Sequence, residues 1–249
     1  MTIATPLDID GLRRAGAAVA EARDTMLAAV KPGVTTLELD LIGKAVLDRH
    51  GARSAPKLAY NFPGYTCISV NADLAHGIPS DSVVLKDGDL VNVDVSAELD
   101  GYWSDTGASA AVGVVSRRLQ ELLEVTRQAQ WEAMMAAQAG RPTNIIGKTI
   151  SAIARCHDFR VIANLTGHGI GRSIHEPPEI LNTYNKRDIR PLKEGLVITI
   201  EPFLTIGDRE VVELQDGWTL RSAKGSLGAQ FEHTFVVQRG EPIVLTLSG

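Results

Sequence analysis

The sequence predicts an α+β chain made by internal duplication, with two helix pairs each leading into antiparallel strands. Three observations predict it. The hydrophobic period changes from helical to alternating twice along the chain. The string Leu85-Lys86-Asp87-Gly88 stands before Asp94 at the spacing with which Leu192-Lys193-Glu194-Gly195 stands before Glu201. A His-Gly-Ile triplet lies upstream of each string, at His76-Gly77-Ile78 and at His168-Gly169-Ile170. Two like halves, about 8–115 and 116–249 behind a short tail of about 1–7, would bring Asp94 and Glu201 together near a pseudo-twofold axis. The expectation is therefore one domain over 1–249 with a central site.

The elements follow in order. Asp8 or Asp10 can cap a first helix whose apolar stripe is Leu12, Val19, Met26 and Leu27, and which stops near Lys31-Pro32-Gly33. Thr35-Thr36-Leu37-Glu38 reads as a capping box, hydroxyl and carboxylate each satisfying a free backbone N–H, and opens a second helix to about His50. Two more helices are expected near Arg117 to Gln138 and Thr143 to His157. Alternation then marks strands, as in Val91-Asn92-Val93-Asp94-Val95-Ser96.

Composition bounds the function. The 249 residues are 44% hydrophobic and 22% charged, ordinary for a chain with a sizeable core. A net charge of -5 gives no field of the sign that holds a phosphate backbone, so DNA is not an expected partner. The two cysteines, Cys67 and Cys156, make neither a disulfide framework nor a CxxC zinc site, which fits a reducing, cytoplasmic setting. Neither a signal peptide nor a membrane span is legible.

The chemistry lies in acids placed on apolar strands. Asp100-Gly101 between alternating segments signals a two-residue type I′ hairpin, which needs positive φ at both central residues. That turn fixes a register in which Leu99 faces Tyr102, Ser96 faces Asp105 and Asp94 faces Gly107. Asp94 and Asp105 then share a face as diagonal neighbours, roughly 6 to 8 Å apart at Cβ. Asn92 and Ser96 share that face, while Val91, Val93 and Val95 form a buried back. Two carboxylates so placed repel unless a cation or a proton sits between them. Glu201 in Val197-Ile198-Thr199-Ile200-Glu201-Pro202 and Glu232 in Gln230-Phe231-Glu232-His233 also stand in strands too apolar for a casual charge. Taken singly, each fits a core carboxylate with an arginine or backbone partner. His168 lies among glycines that allow close backbone approach. Gathered at one axis, four carboxylates and an imidazole have the charge and oxygen count for two divalent ions.

These residues are also where the sequence resembles the type I methionine aminopeptidases, of the creatinase/aminopeptidase "pita-bread" fold. The likeness covers nearly the whole chain. Its stretches are Asn71 to Pro79, Val91 to Asp94 continuing to Asp105-Thr106, Gly167 to Gly171 with His175-Glu176-Pro177, Ile200-Glu201-Pro202, and Gln230 to Thr234. The resemblance implies removal of the initiator methionine from nascent polypeptides, preferentially before a small second residue. It implies two divalent ions (Co, Mn, Fe or Zn) on Asp94, Asp105, His168, Glu201 and Glu232, with a metal-bridged hydroxide attacking the scissile carbonyl. Glu201 would also carry the proton, and His76 and His175 would contact the substrate without holding metal. Cys67, Phe62 and Trp218 match positions lining the methionine pocket. Ile174 and Ala59 stand where relatives often carry aromatic rings. The same resemblance implies a meeting with nascent chains at the ribosome; a monomer is the separate expectation. Xaa-Pro peptidases of this fold share the ligand set but usually add a large N-terminal domain.

Overall fold

Residue chemistry at the chain's turns sets where each helix begins. In the computed structural model, which describes residues 1–247, α1 spans Pro6–Ala28 with Thr5 as its N-cap. Expectation had put the cap at Asp8 or Asp10. Proline, with fixed φ and no N–H to satisfy, fits the first helical turn and starts the helix earlier. Asp8 is instead the third helical residue. Its carboxylate accepts from the Ala4 and Thr5 backbone N–H groups at 3.1 and 2.9 Å, and from Arg172 at 2.7 Å. Asp10 is exposed. The second helix, α2 (Thr36–His50), is capped as its sequence predicts: Glu38 N–H donates to Thr35 Oγ1 at 3.1 Å, and the Glu38 carboxylate accepts from Thr35 N–H at 2.8 Å. Gly51 ends it with φ 69°.

One helix was not anticipated. α3 (Ala55–Tyr60) starts on Ser54, whose side chain accepts from Lys57 N–H, with Pro56 in its first turn. At six residues it is too short to show a helical stripe. α4 (Arg117–Ala136) and α5 (Asn144–Cys156) stand where the periodicity placed them.

The strands preceding α4 are β1 (Arg53–Ser54), β2 (Cys67–Val70), β3 (Asp73–Ala75), β4 (Leu90–Leu99) and β5 (Tyr102–Ala111). Those after α5 are β6 (Arg160–Val161), β7 (Thr166–Gly169), β8 (Glu176–Leu181), β9 (Val197–Ile200), β10 (Phe203–Thr205), β11 (Val211–Glu213), β12 (Leu220–Ser222), β13 (Gly228–Gln230), β14 (His233–Val236) and β15 (Ile243–Val244). Among the described residues all pairings are antiparallel, in four sheets. β4 carries β1, β2 and β5; the others run β13-β10-β6, β11-β12-β3 and β15-β14-β9-β7-β8. The hairpin register is the one read from Asp100-Gly101: Leu99 pairs with Tyr102, Ser96 with Asp105 and Asp94 with Gly107. Both turn residues have positive φ, 51° and 82°.

The repeated string is the same turn built twice. Gly88 N–H donates to Val112 O at 2.8 Å, and Gly195 N–H to Val237 O at 2.9 Å. Val112 N–H returns a bond to Asp89 O, and Val237 N–H to Leu196 O, both at 2.8 Å. The His-Gly-Ile triplets, by contrast, are not equivalent. His168 and Gly169 lie in β7, whereas His76 follows β3 in a left-handed turn with φ 54°. A three-residue match carried no structural information there.

Each helix pair backs its own strands. α1 and α2 bury Ala15, Val19 and Leu39 against Val91, Val93 and Val95, and α4 and α5 bury Leu122, Ile146 and Ile150 with Ile198, Ile200 and Phe235. A seam joins the two cores: Glu232 N–H donates to Gly107 O at 2.8 Å, Asp105 N–H to Thr234 Oγ1 at 3.0 Å, and Ala108 bridges Phe231. Among the described residues, no helix is long and apolar enough to cross a membrane.

The capping accounts predict Thr35→Ala to lower unfolding free energy by about 1 kcal/mol in denaturant titrations. Asp8→Ala should lower the melting midpoint clearly more than Asp10→Ala, and equal effects of the two aspartate variants would contradict the role of the Asp8 bonds at the helix start.

Candidate metal and active site

Neighbouring strands aim their polar faces into one cavity. Asp94 comes from β4, Asp105 from β5, His168 from β7, Glu201 from the end of β9, and Glu232 from the link between β13 and β14. His76 and His175 line the same cavity, as do Phe62, Cys67, Ile174 and Trp218. The sequence reading had named all of these. Ala59 is exposed and does not line the cavity; Pro56 and Tyr60 from α3 form that wall. Sequence reasoning missed both, although Ser54 followed by Pro56 is a legible helix start.

Glycines let this site close. A Cβ on Gly107, the partner of Asp94, would fall 2.4 Å from Gln230 Oε1. Without it, the Gln230 amide accepts from Asn92 Nδ2 at 2.8 Å and donates to Glu232 Oε2 at 3.0 Å, which orients that carboxylate. Behind His168, a Cβ on Gly169 would sit 2.4 Å from Pro177 O, so only glycine lets β7 and β8 approach.

The ring of His168 pairs Nδ1 with Gly169 O at 2.9 Å. A carbonyl can only accept, so Nδ1 carries the proton and Nε2 keeps its lone pair. Nε2 lies 3.5 Å from Glu201 Oε1 and 3.9 Å from Asp105 Oδ2. Burial, helped by nearby His175, pushes the imidazole pKa down to about 3, so it is neutral at physiological pH. Burial and mutual repulsion push Asp94, Glu201 and Glu232 well above the usual carboxylate range, and burial raises Asp105 to about 6. His76 and His175 are lowered by burial too, although both keep solvent contact at the cavity mouth.

The residues fit divalent cations. Asp105 Oδ1 and Glu232 Oε1 are buried without a hydrogen-bond partner, and such orphaned acceptors are costly. Donor atoms of Asp105, His168 and Glu232 lie within 4.8 Å of one another. None of the ion pairs among the described residues gives the four acids a lysine or arginine. Oxygen-rich shells with one neutral imidazole suit Mn, Fe, Co or Zn.

The apolar side of the cavity is equally defined. Phe62 and Trp218 meet edge to face, ring centroids 5.1 Å apart, and Cys67 pairs with Asp94 across β2 and β4. Phe62, Cys67 and Ile174 are buried.

A cavity of carboxylates and one neutral imidazole at the seam of a duplicated α+β fold defines a metallohydrolase, and the chain belongs to metallopeptidase family M24, whose model matches residues 10–239. It is 48% identical over 247 residues to methionine aminopeptidase 2 of Bacillus subtilis (strain 168), covering 99% of each. Among solved structures, methionine aminopeptidase from Thermotoga maritima superposes with a TM-score of 0.95 at 33% identity, covering 99% of each chain. Prolidase from Pyrococcus furiosus superposes at 0.79 with 25% identity, but this chain covers only 66% of that one.

Raised carboxylate pKa values fix the sign of a pH effect. In the folded, metal-depleted protein these four acids bind more protons than in the unfolded chain between about pH 4 and the raised values, so their contribution to stability falls as pH rises through them. Bound cations remove that penalty. Calorimetry of chelated and metal-loaded protein from pH 5 to 8 should show the gap in melting temperature widening with pH. A gap that is constant or narrows contradicts the site.

Proposed function

We propose that this chain removes the N-terminal methionine from new polypeptides, cutting fastest when the second residue is small. The observation that carries this reading is the junction, in one cavity, of the five metal-fitting side chains with the Phe62, Cys67, Ile174 and Trp218 wall. Asp94, Asp105, His168, Glu201 and Glu232 hold two divalent ions in this reading, and the whole of 1–249 acts as one catalytic unit. When bound, the ions supply Lewis-acid polarisation and lower the pKa of the attacking water.

The chain's own residues supply the rest. The methionine thioether enters between the Phe62 and Trp218 rings and the Ile174 side chain, an apolar slot to which an unbranched side chain adapts well. Burying it supplies roughly 1.5 to 3 kcal/mol over alanine. Glu201, which lines the cavity beside His168, accepts the proton released as water attacks the carbonyl carbon and passes it to the departing amine nitrogen. His76 and His175, neutral at the cavity mouth, donate hydrogen bonds to the scissile carbonyl oxygen as it gains charge and to the following amide. Closure of the two rings over that amide crowds a bulky second residue. The substrate's free α-amino group is held by the acidic cluster, which excludes acetylated chains. Nascent chains met at the ribosome by a cytoplasmic monomer complete the reading.

Competition among Met-Gly, Met-Ala, Met-Ser, Met-Leu and Met-Lys peptides in one tube, read by mass spectrometry, tests it. The small-residue peptides should be cut at least about tenfold faster, a gap of roughly 1.4 kcal/mol. N-acetylated peptides should survive. Preferred cleavage of Xaa-Pro peptides lacking methionine would overturn the methionine assignment.

A further inference from the structure

Tyr60 is the last residue of α3, and its ring stands 5.6 Å from the His175 ring, centroid to centroid. Its hydroxyl is in direct hydrogen-bond contact with His175 Nδ1. On its other side His175 packs edge-on against His168, with centroids 4.3 Å apart. The His175 backbone is held by its own turn: Glu176 accepts from the Arg172 and Ser173 N–H groups at 2.6 and 2.9 Å, and Ser173 Oγ donates to His175 O at 3.1 Å. Ring and backbone thus have separate anchors. Among the described residues, only Tyr60 hydrogen-bonds the ring, leaving Nε2 without a protein partner.

A neutral imidazole carries one N–H, and the partner of one nitrogen decides which. Burial and the Asp105 charge raise the Tyr60 pKa, so the phenol keeps a proton to give. The chain fixes its direction. Asn61, left-handed at φ 58°, ends α3, with Asn61 N–H donating to Lys57 O at 3.1 Å and Phe62 N–H to Pro56 O at 3.2 Å. Tyr60 and Phe62 flank that residue, so one short segment supplies both a pocket wall and the partner of His175.

We propose that Tyr60 is the positioning residue for His175, donating its O–H to Nδ1 and so holding the ring as the Nε2–H tautomer that gives a hydrogen bond to the substrate. With the other tautomer, Nε2 would present a lone pair to an oxygen that is gaining negative charge. The inference rests on the reading of His175 as a substrate contact. His76 stands on a separate left-handed turn.

The test is a double-mutant cycle on metal-loaded protein with a Met-Ala-Ser peptide. Tyr60→Phe should lower kcat about fivefold, the size of one hydrogen bond, and leave KM within about twofold. In a His175→Ala background it should cost nothing further, whereas in a His76→Ala background it should cost about fivefold again. Nitrogen-15 spectra provide a readout apart from activity: the His175 signals, assigned by their loss in His175→Gln, should report the Nε2–H tautomer in the parent protein and a mixture in Tyr60→Phe. Full kcat in Tyr60→Phe, multiplicative loss with His175→Ala, or an unchanged tautomer would each overturn the proposal. Full activity in His175→Ala would instead overturn the substrate role of His175. Tyr60 is 46% exposed, so the fold should tolerate the change, and the melting midpoint verifies this.

Discussion

Four carboxylates, those of Asp94, Asp105, Glu201 and Glu232, are packed around one cavity with a neutral imidazole and no lysine or arginine in the described ion pairs to balance them. Two like charges about 4 Å apart at an effective dielectric near 20 repel by about 4 kcal/mol, a large part of the roughly 5–15 kcal/mol by which an ordinary domain is stable. The acids must therefore share protons or hold cations. Every close approach around them, from the bare backbone of Gly107 to the His168 Nδ1 bond, keeps them together despite that cost.

What holds them is the seam. β5 and the segment from Gln230 to Thr234 exchange hydrogen bonds in which Thr106, Ser109 and Thr234 side chains join the backbone. Each half brings its own apolar core to this seam, so two ordinary helix-backed layers support an extraordinary concentration of charge. The apolar wall beside the acids comes from Cys67, the cross-strand partner of Asp94, and from Phe62, Ile174 and Trp218 on the loops around the cavity. Metal chemistry and side-chain selection are in this sense consequences of one packing.

The legible part of the fold was the part governed by local rules. Asp100-Gly101 admits one turn type, and a hairpin turn dictates its register, so the pairings of Asp94 and Asp105 followed from two residues. The Leu-Lys-acid-Gly string marked a true structural repeat because its glycines need positive φ at equivalent turns, 94° and 79°. The His-Gly-Ile triplets failed because the two histidines serve different backbone conformations. Asp8 was misread as a cap because nearby Thr5-Pro6 satisfied the helix start first. The family resemblance named the pocket residues, and Asp105, His168 and Glu232 come within 4.8 Å. What stayed hidden was nonlocal. The bond from Tyr60 to His175 spans 115 positions, and the orientation of Glu232 by Gln230 depends on Asn92 from β4.

The most direct measurement is metal content per chain, by plasma mass spectrometry after equilibration and desalting, for the parent protein, Asp105→Asn and His76→Ala. Two ions should be found per parent chain. Asp105→Asn should retain at most about one, since one of the buried carboxylates that would hold the ions is lost, whereas His76→Ala should keep both while its kcat falls by about two orders of magnitude. A parent protein that binds no divalent metal, or equal metal loss in both variants, would contradict the account.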